Sequence, residues 1–146
     1  MSSTGTSSTG TSSTGDRFRE AVLAGDLETV ESLLAEDVVF RSPAVFKPYE
    51  GRTATMVILR SVMRVVDDFR YTRSFVEEGG TGHVLVFEGT VDDKAVEGAD
   101  FLRIGESGLI EDFRVMIRPL SGLNLVVARM GEVIPQVMEE LGLSAH

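Results

Sequence analysis

If Asp92-Asp93 forms a two-residue hairpin turn, Val91 faces Lys94 across the ladder and Leu85 faces Asp100. Side chains alternate along a strand, so Asp100 then shares one face with Leu102, Leu85, Phe87 and His83. That face is otherwise large and apolar, and the carboxyl would project from it toward the helices. A carboxylate in such a place can take up a proton, its pKa raised by desolvation, and act as a hydrogen-bond donor. It can instead stay charged beside a histidinium or an arginine. Left buried, charged and unpaired it would cost several kcal/mol. Either resolution makes a polar anchor in an apolar cavity, the usual construction of a small-molecule site. The plainer alternative is a carboxyl bonded to a backbone amide or water, or wetted at a rim. His83 would be its diagonal cross-strand neighbour, about 7–8 Å away at the backbone. A lone histidine at a strand start beside glycines suits a surface position better than a catalytic one.

Other motifs fail on spacing. Gly79-Gly80-Thr81-Gly82 has no Lys-Ser/Thr after it and opens no helix, so it is a hairpin turn and not a phosphate cradle. Gly105-Glu106-Ser107-Gly108 falls between strands, not on a nucleophile elbow. The acidic pairs Asp67-Asp68, Glu77-Glu78, Asp92-Asp93 and Glu139-Glu140 lack calcium-loop spacing, and no histidine cluster suits zinc. There is no cysteine for a disulfide or thiolate site. We expect no metal and no cofactor.

The elements that must hold Asp100 can be read in order. Residues 1–15 repeat a Ser/Thr/Gly unit with nothing to bury, and read as a disordered linker or a leader added for expression. The domain is expected over 16–146. Asp16 can cap a helix carrying Phe18, Ala21 and Val22; Gly25-Asp26 ends it and caps another with Leu27, Val30, Leu33 and Leu34. Asp37 to Arg41 reads as a short strand, and Ser42 to Glu50, with two prolines, as a loop. A long amphipathic helix follows to about Asp68, with Ala54, Val57, Ile58, Val62, Val65 and Val66 inward. Phe69–Glu78, His83–Val91, Lys94–Ile104 and Leu109–Ile117 then form an antiparallel meander. Leu123–Met130 and Val133–Leu141 read as two closing helices. Helices followed by a long antiparallel sheet make an α+β domain.

The totals fit. A chain of 146 residues, 42% hydrophobic and 25% charged, suffices for one domain with a core. The formal net charge of -9 argues against nucleic acid, whose phosphates need clustered Lys and Arg. Arg60 with Arg64, and Arg114 with Arg118, suit solvated or interface surfaces better than phosphate clamps. No apolar run is long enough to span a bilayer and no secretory leader is visible, so no membrane partner and a cytoplasmic location are expected.

Three segments in this order, AVLAGDLETVESLLAEDVVFRSP, YEGRTA and GADFLRIGESGLIEDFRVMIRP, resemble the nuclear-transport-factor-2-like superfamily. It includes ketosteroid isomerases and SnoaL-type polyketide cyclases. The likeness spans residues 16 to about 120. It implies a cystatin-like cone of helices on a strongly curved antiparallel sheet, a pocket at the open end, and frequent dimerisation through the sheet's outer face. Laid on a ketosteroid isomerase, the oxyanion-donating tyrosine falls at Phe18, the general-base aspartate at Ser42, and the neutral carboxylic acid at Asp100. The protonated aspartate of that enzyme is a standard example of a carboxylic acid kept neutral by an apolar site. Phenylalanine has no proton to give, and an unassisted serine is no base at neutral pH, so steroid isomerisation by that route is not expected. The Asp-Arg-Asp set of the superfamily's epoxide hydrolases finds no match, its last aspartate falling at Val115.

The resemblance also lines up the last strand, adding Phe113, Val115 and Ile117 to the Asp100 face, and puts Ser42 and Tyr49 at the pocket mouth. Phe18, Val22, Phe40, Phe46, Ile58 and Val62 become candidate walls. Together they would accept a lipid-like or polycyclic guest. Three functions stay open: a binder anchored by Asp100, an isomerase, cyclase or hydratase using Asp100, alone or with His83, as acid or base, and an interaction module acting through its sheet.

Overall fold

The computed structural model describes residues 13–143. The expected leader lies outside the described residues through residue 12, as does His146; its last three residues belong to the fold. Helix α1 runs Thr14–Ala24, and Ser13, not Asp16, caps it: the Ser13 hydroxyl accepts the Asp16 N–H at 3.1 Å. Gly25, at φ 70°, ends the helix with its N–H on the Ala21 and Val22 carbonyls. Asp26 caps α2 (Leu27–Ser32) through the Thr29 N–H and hydroxyl.

Strand β1 (Leu34–Arg41) starts three residues before the expected Asp37. The expected loop after it contains a two-residue strand, β2 (Tyr49–Glu50), which pairs Tyr49 with Phe40. Two prolines obscure it in the sequence. Helix α3 (Arg52–Val65) is followed by β3 (Asp67–Val76), β4 (Gly82–Val91), β5 (Lys94–Ile104) and β6 (Ile110–Arg118). The last element is a single helix, α4 (Leu120–Glu140), not two. Pro135 lies within it on the exposed side, where its missing N–H costs least.

The sheet order is β2-β1-β6-β5-β4-β3. β3 to β6 form the antiparallel meander, while β1 joins β6 in parallel, a pairing between segments about seventy residues apart. Val91 pairs with Lys94 and Leu85 with Asp100, as the two-residue turn requires; Asp92 takes φ 57°, which aspartate tolerates. One apolar cluster joins Phe18, Val30, Leu33, Leu34, Leu85, Leu102 and Phe113 beneath α1 and α2. A second, around Val65, Val91, Val96 and Val126, seals α3 and α4 against the turn end of β4 and β5. Fully burying each such side chain is worth about 1.5–3 kcal/mol. Between the two clusters the packing opens. No helix among the described residues is long and apolar enough to cross a membrane.

Candidate functional site

The opening is a cavity of about 290 Å³ between the concave sheet face and helices α1, α3 and α4. Phe18 and Val22 of α1, Ile58 and Val62 of α3, and Phe40 of β1 form one side. Phe87, Phe113, Val115 and Ile117 form the sheet floor, and Ser42 and Tyr49 sit on the segment bordering it. These are the residues that alternation and the resemblance single out. Four polar side chains line the cavity: Ser42, Tyr49, Tyr71 and Asp100. Ser42 is partly committed, its oxygen accepting the Ala44 and Val45 N–H groups at 2.9 and 3.2 Å in a local turn.

Asp100 is the polar centre. It is 6% exposed and pairs with Leu85 on one side and Val115 on the other. Burial raises its pKa to about 7, and the Tyr71 hydroxyl, donating to Oδ2 at 3.2 Å, opposes that rise. Burial likewise pushes the Tyr71 phenol well above its usual range, and the adjacent Asp100 carboxylate adds to the effect. Among the described residues Tyr71 is the one hydrogen-bond partner of the Asp100 side chain, leaving Oδ1 for whatever enters. Near neutral pH the pair can therefore offer either a carboxylic O–H to a carbonyl or a carboxylate oxygen to a hydroxyl.

Tyr71 is absent from the sequence-level site because β3 is bulged. Its register shifts between Asp67 and Arg70 and again between Tyr71 and Arg73, so alternation cannot be carried across from β4. Its side chain crosses β4 to reach β5. The α4 wall was also missed, since the segment read as two helices; Leu123, Val126, Met130 and Ile134 all line the cavity.

Four expected site residues stand elsewhere. Phe46 is fully exposed, on a loop that nothing covers, and does not line the cavity. Leu85 and Leu102 occupy the inward face as expected, but they pack into the core cluster with Phe18, Leu33 and Phe113 and do not line the cavity. His83 is 3% exposed, against the expectation of a surface position, yet faces α1 rather than the cavity. Its Nε2 lies 2.7 Å from the Ser74 hydroxyl, and its Nδ1 packs so tightly under Gly15 that a Cβ there would approach within 1.8 Å. Burial lowers its pKa; the Asp16 carboxylate pulls it back up and Arg19 pushes it down. It is diagonal to Asp100 in register, but the Asp100 bond goes to Tyr71. Among the described residues, no group of three or more metal-ligating side chains is gathered.

Comparisons with known proteins agree with this fold. Residues 16–113 match the model of the SnoaL-like domain. A steroid delta-isomerase from Pseudomonas aeruginosa is 35% identical, with 86% of this chain and 92% of that chain covered and a TM-score of 0.82. A bacterial protein with a cystatin-like fold from Silicibacter pomeroyi is 34% identical over 82% of this chain and 83% of its own, with a TM-score of 0.76. An NTF2-like protein from Mesorhizobium loti shares the fold at 18% identity, covering 73% of this chain and 88% of that chain with a TM-score of 0.64. A comparison with curated proteins gives no match. An α+β cone on an unclosed curved sheet, with the matching sequence over most of its length, places this chain in the SnoaL-like domain family.

Proposed function

We propose that this protein binds an apolar small molecule in the cavity, with Asp100 as its polar anchor and Tyr71 as the group that orients it. The observation that carries the reading is a carboxyl 6% exposed, aimed into a mostly apolar cavity, with a single hydrogen bond to Tyr71. A buried ionisable group kept against its desolvation cost is a marker of a functional site. By the resemblance, Phe18 and Ser42 fall where a ketosteroid isomerase carries its tyrosine and base, which supports binding over isomerisation. A second reading, an isomerase, cyclase or hydratase with Asp100 as acid or base, draws support from its pKa near 7, the range suited to proton transfer. His83 has no place in that chemistry, because Ser74 and α1 occupy it.

The protein is read as a cytoplasmic homodimer joined through the outer sheet face. Phe75, Phe101 and Met116 are exposed there, beside the Arg118–Glu97 and Arg103–Glu111 pairs. That face also suits the third function, an interaction module. Thermal-shift screening with sterols, fatty acids and aromatic polyketides tests the binding reading, since a bound guest raises Tm with occupancy. Hits whose shifts persist unchanged in Asp100→Asn would remove the anchor.

A further inference from the structure

Resting on the binding reading, we propose that the cavity selects a planar guest of two fused rings carrying a single oxygen function, and discriminates against four-ring steroids. Volume decides the size. A cavity of about 150 Å³ holds one benzene, and this one, at about 290 Å³, is about twice that. Its volume therefore covers about twelve non-hydrogen atoms, which a hydroxylated two-ring system nearly fills, whereas the far rings of a steroid nucleus would extend past it toward the Ser42–Tyr49 mouth.

The walls decide the shape. Phe69 stacks on Phe87 with ring centres 5.0 Å apart, and Tyr71 stands edge-on to Phe69 at 5.0 Å. Phe113 sits between Phe18 and Phe40 at 5.4 and 5.2 Å. All six rings line the cavity. Aromatic faces and edges set at mixed angles accommodate another flat ring through stacked and edge-to-face contacts, an advantage that a flexible alkyl chain of equal volume lacks.

The polar groups decide the chemistry. The Asp100–Tyr71 pair is one anchor, and its free Oδ1 can serve one oxygen of the guest. Ser42 and Tyr49 belong to the segment leading out toward solvent, and Tyr49 is already partly exposed. A guest with one hydroxyl or carbonyl is satisfied at Asp100. A second polar group at its other end would lie against apolar walls.

The test is calorimetric titration of the full chain with phenol, 2-naphthol, naphthalene, decan-1-ol and estrone, in the parent protein and in Asp100→Leu. The expected order places 2-naphthol at least tenfold tighter than each of the others. In Asp100→Leu, 2-naphthol should fall to the affinity of naphthalene while naphthalene itself is retained, which also shows that the variant is folded. Met63→Ala, which trims one flexible wall residue, should narrow the gap to estrone. Estrone binding as tightly as 2-naphthol in the parent overturns the size limit, and decan-1-ol doing so overturns the planar preference; both leave the binding reading intact. Silence from every guest, with both variants folded by circular dichroism, overturns the binding reading itself.

Discussion

The Tyr71 hydroxyl reaches over an entire strand to hold Asp100: β4 runs between them, and the donor meets Oδ2 at 3.2 Å. Phe87 of β4 helps leave that path open by lying down on Gly98, where a Cβ would meet its Cζ at 2.4 Å. The bond is a long-range device. Its removal should be felt at the carboxyl rather than at the tyrosine.

In Tyr71→Phe the Asp100 titration midpoint should move above about 7, because the hydroxyl is the group that restrains the rise caused by burial. The variant should lose about 1–2 kcal/mol at pH 8, where the carboxylate needs its donor. Carbon-detected NMR of the carboxyl follows the midpoint directly. A midpoint that stays put would show that the hydroxyl does not serve Asp100.

Asp100 also shapes stability against pH. Its folded-state pKa of about 7 exceeds the unfolded value of about 3.9, so between these limits the native state holds a proton that the unfolded chain has lost. Its contribution is therefore most favourable below about pH 4, declines as pH rises to about 7, and then levels. His83, lowered by burial, works oppositely: its contribution is lost as pH falls below about 6.5. Urea midpoints of the parent and Asp100→Asn isolate the carboxyl. The variant should be the more stable above pH 7, with the difference shrinking toward zero near pH 4.

Gly15→Ala should destabilise the protein by about 1–3 kcal/mol even though alanine favours helix, since the new Cβ would fall 1.8 Å from His83 Nδ1 and the ring is held by Ser74. Adding His83→Ala should recover part of the loss. Simple additivity in thermal melts of that cycle would count against the contact.

Gly98 of β5 and Gly131 of α4 are opposite cases. A Cβ at Gly98 collides with Phe87 and with the Met116 carbonyl at 2.5 Å, whereas one at Gly131 meets nothing within 4 Å. Gly131→Ala should stabilise α4 by about 0.5–1 kcal/mol, and Gly98→Ala should destabilise. Denaturant midpoints of the two variants should move in opposite directions.

What the sequence revealed about the site follows from how locally each part is specified. Asp100 was legible because a two-residue turn pins β4 to β5, and the period of two then propagates along both strands without interruption. Tyr71 was not, because two register shifts in β3 break that propagation and its partner lies two strands away. The parallel pairing of β1 with β6 leaves no local mark either, its contacts being set by how the helices fold over the sheet. Gly131-Glu132, between the two apolar stretches, hid the unity of α4, and Phe46 passed for a wall residue because hydrophobicity alone says nothing about whether anything covers it. Leu85 and Leu102 lay on the right face, but alternation along a strand cannot say where the helices fill the cone and where they leave it hollow.

The first residues of α1 carry a practical corollary. The last Ser-Thr-Gly unit of the low-complexity run is stitched into the domain, with Ser13 capping the helix, the Thr14 hydroxyl donating to the Gly108 carbonyl at 2.6 Å and Gly15 seated over His83. A version trimmed to begin at Asp16 would discard a cap, a clasp on the β5–β6 turn and the cover of a buried imidazole. Shortening that spares Ser13 keeps all three.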